Sequence, residues 1–368
     1  MEVTQLPAIS EDAETIKFVH TYGVGLHSNE ADYDVNDPEW QRRQIDDFVD
    51  FAILAEELGF DGVTVTEHHA PQMTCPSPHL LIAAAAVKTS TIRLGTAVTV
   101  LPLYHPIRAA EEVGTLDLLS GGRFEVGLGK GAPREVLNAI GSELSPEEAQ
   151  RAWLEAIDLF TRALTEYDVT FDGEFFKVDR PTTIATRPLQ DPLPIWLAGA
   201  SPETTALAAE RGWNLMRNFG SNADHRAALD LYHETAAQHG HERSGANLMV
   251  ERFVAIGTSE AEAERNLGRL SASFGRFISL YSADGRRAVP ETDAEFLVAE
   301  GAPDSRPALA IAGTPGQIIE ELQQVIDETG ARRILVETFS FDETRLFAEE
   351  VLPILRQTNR IDRSKVIA

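Results

Sequence analysis

The sequence of 368 residues contains a single cysteine, Cys75, and no long hydrophobic run. One cysteine can form neither an intramolecular disulfide nor a thiolate metal cluster, so the fold needs no oxidising compartment. The most apolar stretches, such as Leu80 to Val87, are far shorter than the roughly 20 residues that cross a bilayer. The N-terminal residues are polar and acidic, unlike a secretory signal, and we therefore expect a cytoplasmic protein.

Positive charge is also scarce, because 32 Lys and Arg stand against 58 Asp and Glu, which gives a net charge of −26. A surface this acidic repels the phosphates of nucleic acids and of anionic lipids, and no run of five basic residues offers a local exception. We therefore expect neither a nucleic acid nor a membrane as a partner. The 43% of hydrophobic residues is enough for a buried core, and we expect one domain that covers residues 1–368.

Short apolar runs rich in Val, Ile and Thr alternate with longer segments of helical period from about residue 17 to about residue 357. The eight candidate strands are residues 18–24, 62–67, 93–101, 124–129, 194–199, 213–218, 249–256 and 332–338. Continuous apolar strands that are each followed by a helix are typical of a parallel sheet buried on both faces. Eight such units favour an α/β fold of the (β/α)8 TIM barrel type over an open sheet.

Two stretches interrupt this alternation and are predicted to be insertion loops. Residues about 168–193 contain Asp172-Gly173, which is a hairpin signal. Residues about 276–312 mix Gly, Pro and charge without a clear period. Loops of this length in a compact enzyme are often lids, so we expect them to determine the substrate.

Functional residues of a parallel barrel lie where each strand ends, and Glu67-His68-His69 follows the second candidate strand. Adjacent residues of an extended strand point to opposite faces, so these side chains are poorly arranged for one metal ion, and no metal is expected. A histidine at the barrel mouth is suited to act as an acid, a base or a hydrogen-bond donor. The alternative is a pair of histidines that only bind neighbouring backbone.

Two further segments are candidates for phosphate binding. The first is Gly127-Leu128-Gly129-Lys130-Gly131, where glycines allow a ligand close to the backbone and Lys130 offers a charge. The second is Gly199-Ala200-Ser201-Pro202, where Ser201 is typical of a helix N-cap and Thr204 lies one turn later. A helix N-terminus of this kind binds anions, although an ordinary capped helix without a ligand explains the same pattern. Cys75 receives no role, and Glu111-Glu112 is predicted to be a solvated or barrel-packing helix face.

Several motifs together resemble one family. They are Val65-Thr66-Glu67-His68-His69, Ile92-Arg93-Leu94-Gly95-Thr96-Ala97-Val98, Leu101-Pro102, His105-Pro106, Ala110-Glu111-Glu112-Val113, Leu119-Ser120-Gly121-Gly122-Arg123-Phe124, Gly127-Leu128-Gly129-Lys130-Gly131, Leu231-Tyr232-His233-Glu234 and Ala312-Gly313-Thr314-Pro315-Gly316. In this order they resemble the bacterial luciferase-like flavin monooxygenases over nearly the whole chain.

The resemblance implies a (β/α)8 barrel that binds reduced FMN, supplied as FMNH2 by a separate NAD(P)H:flavin reductase. By matching positions, His68 corresponds to the catalytic histidine, which is expected to help stabilise a flavin C4a-peroxide, and His69 and Glu67 lie beside it. Ala97-Val98 falls where the family has a non-prolyl cis peptide under the flavin ring.

The phosphate positions implied by the resemblance are Lys130, Arg151, Ser201 and Thr204, and the flanking residues Gly131, Gly199 and Ala200 belong to the same segments. Lys130 stands where an Arg is familiar, which gives a point charge in place of a bidentate fork. Gly129 stands where the light-emitting α subunit carries a reactive cysteine. This departure favours a non-luminescent relative.

The expected function is a two-component monooxygenase that uses FMNH2 and O2 on a small, mostly apolar organic substrate. Hydroxylation, Baeyer-Villiger insertion, C–S cleavage and aldehyde oxidation are all compatible with the sequence. One alternative is hydride transfer with the deazaflavin F420, whose acidic tail calls for more basic residues than this chain offers. Another is a non-catalytic flavin-binding subunit, against which His68 counts.

A homodimer is also expected, because Ala83 to Ala86 are small residues that allow close packing of helices from two subunits. The alternative is that this helix packs tightly on its own barrel.

Overall fold

The computed structural model describes residues 15–25, 34, 36–69, 75–131, 144–282 and 309–359. The strands in these residues are β1 Lys17–Tyr22, β2 Gly62–Val65, β3 Arg93–Thr96, β4 Thr99–Val100, β5 Phe124–Gly129, β6 Val169–Asp172, β7 Lys177–Thr182, β8 Ile195–Ala198, β9 Asn214–Arg217, β10 Leu248–Ile256, β11 Ala310–Gly313 and β12 Arg333–Glu337. The helices are α1 Pro38–Glu57, α2 Pro78–Ala86, α3 Pro106–Ser120, α4 Pro146–Thr165, α5 Pro202–Glu210, α6 Asn222–His239, α7 Glu260–Ser282, α8 Pro315–Thr329, α9 Phe341–Glu350 and α10 Leu352–Thr358.

The chain divides into two compact units, of which the first contains residues 1–20, 58–61 and 196–368. In this unit β10 is the central strand, and it pairs in parallel with β9, β11 and β12. Strand β12 pairs in parallel with β1, with Phe18 opposite Ile334. The aromatic core of the unit includes Phe18 and Phe60, which both lie against Phe347.

The second unit contains residues 21–57 and 62–195. Here β2 pairs with β3, and β5 pairs with β3 and with β4, all in parallel. Helix α1 places Phe48 and Phe51 against Tyr22, and all three side chains are fully buried. The apolar runs of the sequence therefore form the strands, and the helices cover them, as burial of apolar surface requires.

The fold class is the (β/α)8 TIM barrel that the sequence predicts, and the eight predicted strands are β1, β2, β3 with β4, β5, β8, β9, β10 and β12. The prediction of an insertion loop at about 276–312 is wrong at its end, because strand β11 lies there. Its four residues, Ala-Ile-Ala-Gly, are too few and too small to produce a recognisable strand pattern. The prediction is also wrong at the start of this insertion, because residues 276–282 continue helix α7. Residues 283–308 of the insertion lie outside the described residues.

The predicted third strand, residues 93–101, is also shorter than expected. Strand β3 ends at Thr96, the Ala97-Val98 peptide bond is cis, and β4 then contains only Thr99 and Val100. After the cis bond, β4 resumes the parallel pairing with β5, with Thr99 opposite Leu128, so the predicted strand is interrupted at residues 97–98.

The hairpin predicted at Asp172-Gly173 is confirmed, since β6 and β7 form an antiparallel pair around it. The segment that follows the hairpin is fixed to helix α3. The buried carboxylate of Asp117 accepts hydrogen bonds from the backbone N–H groups of Leu189 and Gln190, at 2.7 and 3.0 Å, and from the Gln190 side chain at 2.7 Å. Gly114, one turn earlier, lies so close to the Thr186 carbonyl that no side chain fits there.

Among the described residues, none of the helices combines the length and the apolar character that crossing a bilayer requires. The same part of the chain holds no group of three or more His, Cys, Asp or Glu side chains placed to bind one metal ion.

Candidate active site

Glu67, His68 and His69 follow β2, and their side chains alternate as expected for extended backbone. Glu67 is buried, and one of its carboxylate oxygens lies 3.1 Å from His69 Nε2. The other oxygen accepts the backbone N–H of Val100 at 2.8 Å. Burial raises the pKa of Glu67, whereas these two hydrogen bonds and nearby imidazole charge act in the opposite direction. Glu67 thus joins the end of β2 to the end of β4.

His68 lies between Glu67 and His69, and it is half-buried. Its backbone N–H donates to the carbonyl oxygen of Cys75 at 3.0 Å, which holds the chain after β2 in place. Desolvation of the ring, with a smaller effect of charge on His69, lowers the pKa of His68 to about 4. At neutral pH the His68 ring is therefore an uncharged imidazole that offers one donor and one acceptor nitrogen.

The cis bond between Ala97 and Val98 agrees with the position that the resemblance implies. Ala97 N–H donates to the Val65 carbonyl at 2.9 Å, and this bond fixes the peptide beside the end of β2. Gly129 at the end of β5 packs against the Val98 side chain, and a Cβ atom on Gly129 would come closer than 3.0 Å to it. Because Gly129 has no side chain, the Val98 side chain has room to pack there.

A buried hydrogen-bonded chain lies behind this peptide, and the sequence reasoning did not find it. His79 Nδ1 lies 2.7 Å from Glu112 Oε2, and His79 Nε2 lies 2.9 Å from Thr99 Oγ1. The Thr99 hydroxyl in turn donates to Thr96 Oγ1 at 3.0 Å. Glu112 also forms an ion pair with Arg108 at 3.2 Å. The expectation that Glu111-Glu112 is only a solvated or barrel-packing face is therefore wrong for Glu112.

The two predicted cationic phosphate ligands are both close to the start of helix α4, but each has a protein partner. Lys130 Nζ donates to the Gln150 side chain at 2.5 Å. Arg151 makes two hydrogen bonds to Glu174, at 2.9 and 3.0 Å, and its guanidinium lies over the Phe175 ring. The Arg151 side chain is half-exposed, so this ion pair is accessible to solvent and easily exchanged for another anion. Gly131 follows Lys130 with a φ of 71°, a conformation that favours glycine.

Residues 199–204 lie in the first unit, and the predicted N-cap is confirmed. Ser201 Oγ accepts the Thr204 N–H at 3.2 Å and lies 3.2 Å from the Thr204 hydroxyl. Both side chains therefore stand at the first turn of helix α5, where free N–H groups favour an anion. Gly199 packs against Thr204, and a Cβ atom at this position would overlap the Thr204 methyl group.

A buried arginine that the sequence analysis missed supports this turn. Arg217 donates to the carbonyl oxygen of Ala200 at 2.9 Å, and its Nε lies 3.3 Å from His225 Nδ1. Desolvation lowers the pKa of His225 to about 3, and the positive charges of Arg252 and Arg217 add to this effect. His225 is therefore neutral and able to accept from Arg217. The signal in the sequence was an arginine directly after Leu215 and Met216, at the end of strand β9.

The cluster in the second unit is suited to hold a planar, partly apolar group with polar edges. The Thr66 hydroxyl at the end of β2 is buried and has no hydrogen-bond partner among the described residues. This hydroxyl can therefore donate a hydrogen bond to a ligand or accept one from it. Ala97 and Val98 at the cis bond carry small apolar side chains and are partly exposed, and His68 adds a neutral imidazole. These groups match the chemistry of a flavin ring, which has an apolar face and hydrogen-bonding edges.

A family model described as luciferase-like monooxygenase matches residues 23–333. The alkanal monooxygenase alpha chain of the Kryptophanaron alfredi symbiont is 26% identical over 86% of this chain and 94% of its own length. The oxygenase component of a flavin-dependent trigonelline monooxygenase from Acinetobacter baylyi is 28% identical over 66% of this chain and 68% of its own length. An F420-dependent glucose-6-phosphate dehydrogenase from Intrasporangium calvum is 28% identical over 84% of this chain and 95% of its own length.

Solved structures agree with the fold. The crystal structure of the monooxygenase RslO1 from Streptomyces bottropensis superposes with a TM-score of 0.74 over 92% of this chain and 99% of that chain, at 24% identity. At this identity the agreement concerns the barrel fold, and the chemistry must come from the residues of this chain.

Proposed function

Because the chain belongs to the luciferase-like monooxygenase family, we propose that it is the oxygenase component of a two-component system that acts with FMNH2 and O2 on a small, mostly apolar organic substrate. The observation that carries this proposal is the position of the Glu67-His68-His69 segment, which Glu67 joins through a hydrogen bond to Val100, two residues after the cis Ala97-Val98 bond. The similarity to the oxygenase component of a trigonelline monooxygenase supports a reductase as partner. The bound reduced flavin would supply the electrons that activate O2.

The residues divide into two proposed roles. Around the ring, Ala97 and Val98 would support the flavin, His68 would hold or donate a proton at a ring nitrogen, and Glu67 would orient His69 through the 3.1 Å hydrogen bond. The proposed phosphate ligands are Lys130, Arg151, Ser201 and Thr204, with the backbone of Gly131, Gly199 and Ala200. Arg151 would exchange Glu174 for the phosphate, which is a stronger anionic partner.

The second candidate function is hydride transfer with F420, and the similarity to an F420-dependent dehydrogenase favours it. Against it, the net charge of −26 leaves little positive charge for an acidic cofactor tail. A non-catalytic flavin-binding subunit is the third candidate, and the neutral His68 beside the proposed ring site argues against it.

Anaerobic titration of the purified protein with FMNH2 and, separately, with reduced F420 distinguishes these functions. We expect FMNH2 to bind in the micromolar range or tighter, because a ring site and a phosphate site contribute together, and reduced F420 to bind at least about tenfold more weakly. Adding O2 to the FMNH2 complex should then change the flavin absorbance in more than one phase. Tight F420 binding without any reaction with O2 would assign the protein to hydride transfer, whereas FMNH2 binding without a reaction with O2 would support the non-catalytic subunit.

We also propose a cytoplasmic homodimer formed through helix α2. The exposed face of this helix presents Leu80, with 72% of its surface accessible, and Val87, with 61%, on either side of the small residues Ala83 and Ala84. These positions recur at helical spacing and form an apolar stripe, which is costly to leave in water.

Leu80→Asp is expected to convert this dimer into a monomer, because burial of a carboxylate in an apolar interface costs several kcal/mol. Light scattering coupled to size-exclusion chromatography measures the mass directly. Ile354→Asp, which changes an exposed apolar residue of helix α10, is the matched control and should leave the mass unchanged. A wild-type monomer at micromolar concentration would contradict the proposal.

A further inference from the structure

The hydrogen bonds around Thr96 define which partner donates at each step. Thr96 Oγ1 accepts the backbone N–H of Gly127 at 3.1 Å and donates its one hydrogen to the Gly127 carbonyl at 3.1 Å. The Thr99 hydroxyl therefore has to donate to Thr96, as its 3.0 Å contact indicates. The Thr99 oxygen is left as an acceptor toward His79, so His79 Nε2 carries a hydrogen in this arrangement.

The other nitrogen of His79 faces a carboxylate. Glu112 Oε2 lies 2.7 Å from His79 Nδ1, a short distance typical of a charge-assisted hydrogen bond. The hydrogen bond from His79, together with nearby Arg108, lowers the pKa of Glu112, which is therefore ionised at neutral pH and accepts only. Nδ1 must then donate as well.

We propose that His79 is a buried imidazolium ion, protonated on both ring nitrogens and held by Glu112, and that it is a positioning residue which places a positive charge behind the Ala97-Val98 peptide. It reaches this peptide through the Thr99 hydroxyl, which belongs to the residue directly after Val98. His79 is 5% exposed, so water screens its charge only weakly. Neither the sequence motifs nor the proposed catalytic pair His68 and His69 include this residue.

Charged and titratable groups of several elements surround His79. Glu112 on helix α3 neutralises it directly, Arg108 on the same helix binds Glu112 from the solvent side, and Glu67 after β2 adds a second carboxylate nearby. The Tyr104 ring lies with its centroid 5.3 Å from that of His79, and burial and the neighbouring carboxylates raise the Tyr104 pKa, so the phenol stays neutral. The His79 ring thus lies against the Glu112 carboxylate, with the Glu67 carboxyl group nearby.

The consequence of this charge for flavin binding rests on the proposed function. Reduced FMN carries more negative charge near neutral pH than oxidised FMN does, so a fixed cation near the ring favours the reduced form. His79 would therefore make the protein bind FMNH2 more tightly than FMN. An oxygenase that receives its flavin from a separate reductase needs this preference to take up the reduced form and release the oxidised one.

The charge state can be measured without any flavin. The protein labelled with 15N-histidine is examined by two-dimensional NMR between pH 6 and pH 8, and His79→Gln identifies the signals of His79 by their loss. We expect both His79 nitrogens to have the chemical shifts of protonated imidazolium nitrogens over this range. One unprotonated nitrogen at pH 7 would overturn the inference, whatever cofactor the protein uses.

The consequence is tested by the ratio of the dissociation constants for oxidised and reduced FMN. His79→Gln keeps a donor toward Thr99 and removes the charge, and we expect it to lower the preference for FMNH2 by about tenfold. Arg108→Gln is the control, because it removes an equal charge from the exposed side of Glu112 and should change the ratio less than twofold. An unchanged ratio in His79→Gln would overturn the role of the cation. If the wild-type protein does not bind FMNH2, the proposed function is contradicted. The NMR measurement then still tests the charge of His79.

Discussion

His68→Ala is expected to raise the rate of hydrogen peroxide release from the FMNH2-loaded protein in air by about 100-fold, within the range that a positioned acid or base contributes. In this reaction reduced flavin transfers two electrons and two protons to O2, and a protein that performs oxygenation has to slow this release. His68 belongs to the segment that Glu67 joins to Val100, two residues after the cis bond, and its neutral imidazole can hold the required proton. A peroxidase-coupled dye assay after mixing with oxygenated buffer measures the rate.

His239→Ala is a suitable control, since His239 lies at the exposed end of helix α6 and its Nδ1 lies 3.0 Å from the Thr235 carbonyl oxygen. It should leave the rate unchanged. Because the pKa of His68 is about 4, this side chain is neutral from pH 6 to pH 8, and the difference between His68→Ala and the wild type should not vary over that range. Equal rates for His68→Ala and the wild type would exclude His68 from this role.

Gly114→Ala is expected to lower the free energy of unfolding by about 3 kcal/mol, at the upper end of the usual cost of overpacking. The new methyl group would overlap the Thr186 carbonyl, which is backbone and cannot rotate away. Helix α3 would have to separate from the segment that carries Leu189 and Gln190, and the hydrogen bonds of these residues to buried Asp117 would weaken. Urea unfolding followed by tryptophan fluorescence measures the change.

Gly268→Ala provides the matched control for this substitution. Gly268 also lies within a helix, α7, but no atom lies within 4 Å of the position that its Cβ would occupy. The same change should therefore raise the free energy of unfolding by about 0.5 to 1 kcal/mol through helix propensity alone. A similar effect of both substitutions, in either direction, would mean that the contact with Thr186 does not determine stability.

The sequence predicts those parts of the fold that depend on local chemistry. Ser201 is found at the N-cap as expected, because Ser followed by Pro at the first helical position satisfies the backbone in only a few ways. The hairpin is found where Asp172-Gly173 predicts it, but Asp172 pairs with Lys177, so the loop consists of residues 173–176 and the dipeptide marks its start. The eight strands of the barrel follow from apolar runs long enough to be recognised.

Other features depend on residues that are distant in the sequence. His79 and Glu112 are separated by 33 residues and meet only because helices α2 and α3 pack side by side, so no motif indicates their contact. Nothing in the dipeptide Ala97-Val98 favours a cis bond, and only the resemblance to a family predicted it. Strand β11 forms because β10 is nine residues long and offers it an edge, not because its own sequence favours a strand.

The close packing of Gly129 against Val98 restricts the order in which this protein can change. Any side chain at position 129 would collide with the valine, so a larger residue is tolerated there only after position 98 has become smaller. Taken one at a time, a substitution at 129 should be harmful in this background and acceptable after Val98→Ala or Val98→Gly. Directed evolution that introduces a reactive side chain next to the cis peptide therefore has to reduce the side chain at position 98 first or change both positions together, because a library at position 129 alone would yield only harmful variants.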